Sequence, residues 1–83
     1  MTVNDLVPSS EQRQLWGRQI MVARESAGMS IEVIANSFNL RGSFVDALES
    51  GRGSEHMEWS YERQHLQAIA KILGVTINDE ITQ

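Results

Sequence analysis

Apolar residues recur at helical spacing in several stretches of the chain, and nowhere do they alternate with polar ones as a half-buried strand requires. Leu15, Trp16, Ile20, Ala23 and Ala27 form one stripe and predict a first helix over residues 11–27. Ser10 stands before it as an N-cap, with Glu11 in the first turn, where the helix dipole favours a carboxylate. Gly28 supplies the left-handed residue that ends it. Ser30 caps a second helix over residues 31–38, with Ile34, Ala35 and Phe38 facing inward. Asn39 tolerates positive φ, and Leu40 turns back into the core. A third helix over residues 43–50 points Val45 and Leu48 inward and stops at Gly51.

The small Ala35, the Asn39 turn and the Leu40 plug give the second and third helices the spacing of a helix-turn-helix. A flexible connection over residues 51–54 follows, then a short helical turn over 54–59 in which Met57 and Trp59 close the bottom of the core. Leu66, Ile69, Ala70 and Leu73 share one face of a helix over residues 61–73, which Gly74 stops. Val75 and Ile77 pack back, and residues 78–81 add a last turn. The expected architecture is all-α, a compact bundle of about five short helices. Residues 1–10, with Pro8, form a flexible arm. Residues 11–81 form one domain, and 82–83 are a tail.

Composition narrows the function classes. At 83 residues the chain has room for one domain with one small core. It has no cysteine, which excludes a disulfide framework and thiolate metal sites and suits a reducing cytoplasm. No apolar run approaches the ~20 residues of a membrane span, and residues 1–12 lack a basic-then-apolar leader. His56 and His65 stand apart without a third ligand, so they read as rim histidines. No spacing suggests a nucleophile with its base, and a small helical bundle leaves little room for a pocket. Catalysis, a cofactor, a metal and a small-molecule substrate are therefore not expected.

Several residues carry a family resemblance. Gly28-Met29-Ser30, Ile34-Ala35, Phe38, Leu40, Val45, Leu48-Glu49 and Gly51 resemble the XRE (Cro/C1-type) helix-turn-helix family. Trp16-Gly17, Ile20 and Ala23-Arg24-Glu25 are similar to its first helix, and Leu73-Gly74-Val75-Thr76 to its closing motif. The resemblance spans residues 15–81. Within it, Arg41, Phe44-Val45, Ala47-Leu48-Glu49, Tyr61, Arg63, Leu66, Ala70 and Leu73-Gly74 are similar to the cytoplasmic helix-turn-helix domain of the cell-shape protein RodZ. There the fold holds an actin-like filament rather than DNA, so this resemblance implies a version of the fold that serves protein contacts. The membrane span and periplasmic part of RodZ have no counterpart in this chain, and a complete cell-shape anchor is not expected.

The surface that the resemblance assigns to DNA carries the wrong chemistry. Where the family usually holds a phosphate with a polar residue, this chain has Ile31, with Val33 two residues on. Neither side chain donates a hydrogen bond. The sequence leaves open whether the two are exposed or partly covered by the first helix or the arm. On the third helix, the positions that reach base edges in the family carry Gly42, Ser43, Phe44, Asp46 and Ala47. Ser43 can still bond a base or phosphate, Asp46 repels the duplex, and an exposed Phe44 suits a protein interface better.

Charge agrees with this. The whole chain carries −4. Residues 28–51 carry Arg41 against Glu32, Asp46 and Glu49. Glu49 is to be discounted, because the family often keeps Glu there for structural reasons. Arg41, Arg52 and Arg24 remain as phosphate clamps, a thin basic set for a fold that draws much of its DNA affinity from phosphate contacts.

The leading expectation is a non-catalytic helix-turn-helix that binds a protein partner through an acidic and apolar face formed by Ile31, Glu32, Arg41, Ser43, Phe44, Asp46 and Ala47. The favoured partner is a transcription regulator, which makes the chain an antiactivator or anti-repressor. Small free-standing modules of this sort occur on phages and mobile genetic elements. A sequence-specific DNA-binding regulator of the XRE type and a RodZ-like cytoskeletal adaptor are the alternatives. DNA is disfavoured as a partner by the local charge.

Overall fold

The structure, a computed structural model, describes residues 8–55 and 57–77. Among them are four α-helices, α1 (Ser10–Ser26), α2 (Ile31–Ser37), α3 (Gly42–Ser50) and α4 (Trp59–Leu73), with a 3-10 turn at Gly53–Glu55 between α3 and α4. The expected all-α helix-turn-helix bundle is present, with four helices where about five were anticipated. The last turn expected at residues 78–81 and residues 1–7 of the arm expected over 1–10 lie outside the described residues, while Pro8 is buried and Ser10 opens α1.

α1 packs against α3 and α4, α2 packs against α3, and the 3-10 turn lies on α3 and α4. Ile20, Ile34, Val45 and Ile69, from all four helices, have no exposed surface. Leu48, Leu66 and Trp16 complete the centre, and Ile77 folds back onto it as its position after Gly74 suggests. α2 and α3 are seven and nine residues long, too short to hold together alone in water, so their helicity depends on this burial.

The helix ends close by one device. After α2, the Leu40 N–H donates to the Ala35 carbonyl (2.8 Å) and the Asn39 N–H to the Asn36 carbonyl (3.3 Å), with Asn39 at φ 55°. These are the two bonds of a Schellman motif, with asparagine in the left-handed place glycine usually takes. The same pair of bonds ends α3 around Gly51, where the Arg52 N–H reaches the Ala47 carbonyl at 2.7 Å.

Some boundaries differ from the sequence reading. Ser9, not Ser10, caps α1, and its Oγ accepts the Gln12 N–H at 3.1 Å. Leu15 is 56% exposed. The buried stripe of α1 runs instead through Trp16, Gly17, Ile20 and Arg24, and Leu15, about 100° around the helix from Trp16, cannot share it. The turn expected over 54–59 begins earlier, at Gly53, and Trp59 already belongs to α4.

Two features lock α3 onto α1. A Cβ on Gly17 would stand 2.4 Å from the carbonyl oxygens of both Leu48 and Glu49, so only glycine admits the last turn of α3 this close. Two turns further along α1, Arg24 is buried and donates from Nε to Glu49 Oε2 (2.6 Å), from Nη2 to Glu49 Oε1 (3.0 Å) and from Nη1 to the Met29 carbonyl (2.9 Å). The hydrogen bonds to Glu49 hold the guanidinium charged more firmly than usual, against the opposing effect of burial. One side chain thus joins α1, the α1–α2 connection and α3.

Gly17→Ala reverses the usual helix rule. In an open helix the change stabilises by about 1 kcal/mol. Here the methyl meets backbone that cannot move aside, and a loss of about 3 kcal/mol, at the upper end of overpacking costs, is expected in a thermal melt. Arg24→Ala or Glu49→Ala each leaves a buried charge unpaired and is expected to cost about 3–5 kcal/mol in urea denaturation. The double change Arg24→Met with Glu49→Met should cost much less than the sum. An additive result would mean that the pair is not coupled.

Candidate helix-turn-helix surface

The two short helices present a face whose side chains can be placed one by one. Glu32 and Val33 are exposed on the first turns of α2, Val33 at 45%. Ser30 caps this helix by accepting the Val33 N–H at 3.2 Å, so a carboxylate at Glu32 already occupies the electropositive end where a phosphate would dock. Ile31 is half-buried and packs against the rim of the core, close beside Gly42. Val33 is thus the more exposed apolar side chain of the two.

On α3, Arg41 is exposed at the N-cap without capping through its side chain. Ser43 and Asp46 are exposed one turn apart, and Phe44 is half-buried and engaged by a further contact. Ala47, expected on the surface, is 1% exposed. It lies one residue before Leu48, at the inward edge of the helix, so its methyl belongs to the packing and offers no contact area. The hydroxyls of Ser37 and Ser50 donate to the Val33 and Asp46 carbonyls at 2.9 and 2.8 Å and are spent within their own helices. Ser43 alone among the exposed residues of α3 keeps an uncommitted neutral donor.

The cations are redistributed in a way that composition does not reveal. Of the three arginines available to phosphate in the sequence reading, Arg24 is buried on Glu49 and lost to the surface. Arg52 sits between two carboxylates, with Nη2 3.2 Å from Asp46 Oδ2 and Nη1 3.6 Å from Glu55 Oε1. Arg41 is left as the one basic side chain within α2, α3 and their turn. Glu49, set aside as structural in the sequence reading, does lie inside, where it balances Arg24. The surface therefore presents Glu32, Asp46 and Glu55 against Arg41 and a half-exposed, paired Arg52.

Sequence reasoning missed the Arg24–Glu49 and Arg52–Asp46–Glu55 contacts. The first joins residues far apart in the chain and has no local signal. The second could have been found, because Gly51 reverses the chain and brings residue 52 back beside the last turn of α3. His65 stacks on Tyr61 (5.8 Å between rings), with Nδ1 2.8 Å from the Tyr61 carbonyl, a rim placement. Among the described residues no group of His, Cys, Asp and Glu is arranged to hold a metal, and no helix is long and apolar enough to cross a membrane.

A family model described as a helix-turn-helix domain matches residues 20–80. No curated protein and no solved structure matches the chain. The match takes in the second half of α1 and all of α2, α3 and α4, and the chain belongs to this helix-turn-helix domain family.

Proposed function

We propose that this chain is a non-catalytic helix-turn-helix that holds a protein partner, a DNA-binding transcription regulator, and so acts as an antiactivator or anti-repressor. The observation that carries this reading is the chemistry of α3. Its exposed positions hold Ser43, Asp46 and Ser50, with no Arg, Lys, Asn or Gln anywhere in Gly42–Ser50. Those four types make the bidentate contacts that read G and A, and the first two supply the charge that grips phosphate, so Ser43 is left with only a single weaker contact to offer a duplex. Exposed Glu32, Asp46 and Glu55 together with exposed Val33 and half-buried Ile31 and Phe44 suit a cationic protein surface. The basic surface of a DNA-binding protein is such a surface, and covering it excludes phosphate. The remaining members of the docking set are Arg41 and Ser43.

Two measurements test the proposal. The purified chain, titrated at ~50 mM salt against a pool of random duplexes, is expected to select no sequence, since Arg41, the one basic side chain of α2, α3 and their turn, supplies little counterion release. Sequence-selective retention with a steep salt slope would overturn the reading in favour of an operator-binding regulator. Affinity capture from the native host is expected to retrieve a DNA-binding regulator that is released by its own duplex; capture of filament protein alone would favour the RodZ-like adaptor. Asp46→Lys places like charge against the partner and is expected to weaken capture at least about tenfold. Its melting temperature should fall by no more than about 8 °C, because the exposed pair with Arg52 contributes at most about 1 kcal/mol.

A further inference from the structure

Both tryptophans of the chain lie in one cluster where α1 meets α4. Trp16 and Trp59 stack with centroids 5.7 Å apart and planes 14° from parallel. The Arg13 guanidinium carbon lies 5.7 Å from the centre of the Trp59 ring, within cation–π range. Three residues along the same face of α4, Glu62 is 1% exposed. Arg13 Nε approaches Glu62 Oε2 at 3.3 Å. That contact has the charge of an ion pair without the geometry of a hydrogen bond: Arg13 Nε and Glu62 Oε1 are both buried, and neither has a hydrogen-bond partner. A carboxylate removed from water with one oxygen unpaired is far more costly than its neutral acid.

The 3-10 turn roofs this carboxyl. A Cβ on Gly53 would fall 2.8–2.9 Å from Glu62 Cγ, Cδ and Oε2. Among the described residues the roof is held by the Arg52 N–H to the Ala47 carbonyl (2.7 Å), the Glu55 N–H to the Arg52 carbonyl (3.0 Å) and the Met57 N–H to the Gly53 carbonyl (3.0 Å). From α1, Arg13 is the charged group set against Glu62. From the connection, Arg52 and Glu55 turn away toward each other and Asp46, each about half exposed or more. From α3, Glu49 is committed to Arg24. On α4 itself, Glu58 and Arg63 are exposed. His56 lies outside the described residues and enters as a control.

We propose that Glu62 is a proton-sensitive latch beneath the α3–α4 connection: the turn stays seated over the protonated carboxyl and lifts to hydrate the ionised one. Burial raises the pKa of Glu62 above the usual carboxyl range, and Arg13 opposes that rise. The seated state therefore binds the proton more tightly than a lifted state in which the carboxyl meets water. Its advantage is complete below the ordinary carboxyl value and is lost as pH rises through the raised one. Arg52 carries both the backbone bond to Ala47 and the side-chain pair to Asp46, so lifting the turn releases one edge of the α2–α3 face. The latch is independent of which macromolecule that face holds.

Amide hydrogen exchange on the whole chain tests the latch, measured between about pH 4.5 and 7.5 and corrected for intrinsic rates. Protection at the Arg52, Glu55 and Met57 amides is expected to fall several-fold as pH rises, while core amides such as Ile20 and Ile69 keep theirs. Tryptophan emission, reporting only this cluster, should shift to the red over the same range. Glu62→Gln should flatten both profiles. Arg13→Gln removes the charge that lowers the carboxyl's pKa and should move the midpoint to higher pH, an outcome that stands even where Glu62→Gln fails to fold. His56→Gln should reproduce the wild-type profile. Flat protection in the wild type, an unmoved midpoint in Arg13→Gln, or a transition that disappears in His56→Gln would each overturn the proposal.

Discussion

The contact on which the molecule depends is the seam between α1 and the last turn of α3. Gly17 lets the Leu48 and Glu49 carbonyls approach α1 to a distance no side chain could tolerate. Arg24 then fastens the same turn by two bonds to Glu49 and holds the α1–α2 connection through Met29. Helices of seven and nine residues have little stability of their own, so the helix-turn-helix is helical because this seam and the core beneath it hold it. The pair is not a large source of net stability, since desolvation offsets most of the attraction. Its effect is to fix one register of α3 against α1.

The same seam shapes the outer surface. Arg24 is one of only seven basic residues, and the interior takes it. Its partner Glu49 goes with it, so the exposed charge of the face is set by what remains: Glu32, Asp46 and Glu55 against Arg41 and a shared Arg52. A net-charge count along the sequence treats all of these alike. The fold sorts them into a neutralised interior pair and an acidic rim.

Helix positions are legible because the periodicity of Trp16, Ile20, Ile34, Val45, Leu48, Leu66 and Ile69 is strong, and stop signals at Gly28, Asn39, Gly51 and Gly74 are local chemistry. Leu15 misleads because a stripe written as a list does not say which of two adjacent apolar residues faces inward; the bulk of Trp16 and its stacking partner Trp59 decide it. Ala47 misleads for the reverse reason, because a small residue beside Leu48 carries no hydrophobic signature, and only the approach of neighbouring helices buries it. The candidate face is legible in residue type and not in availability. Arg24, Arg52 and Phe44 look like free surface groups until their partners, or their contacts, are known.

The two buried ion pairs among the described residues, both anchored on α1, differ in how well they are satisfied, and that difference divides the molecule. Arg24 and Glu49 meet through two good hydrogen bonds, so neither charge gains by reaching water. Arg13 and Glu62 meet at 3.3 Å with Nε and Oε1 left unpaired, so the carboxylate, once ionised, gains if the cover opens. The two arginines are eleven residues apart on α1, about 16 Å along its axis, far enough to act on different neighbours. The C-terminal half of α1 therefore holds α3 rigidly, while its N-terminal half holds the α3–α4 connection on a contact whose hold depends on the proton at Glu62. A surface built on α2 and α3 inherits both properties, with a fixed body and one edge, at Asp46 and Arg52, tied to the turn that closes over Glu62.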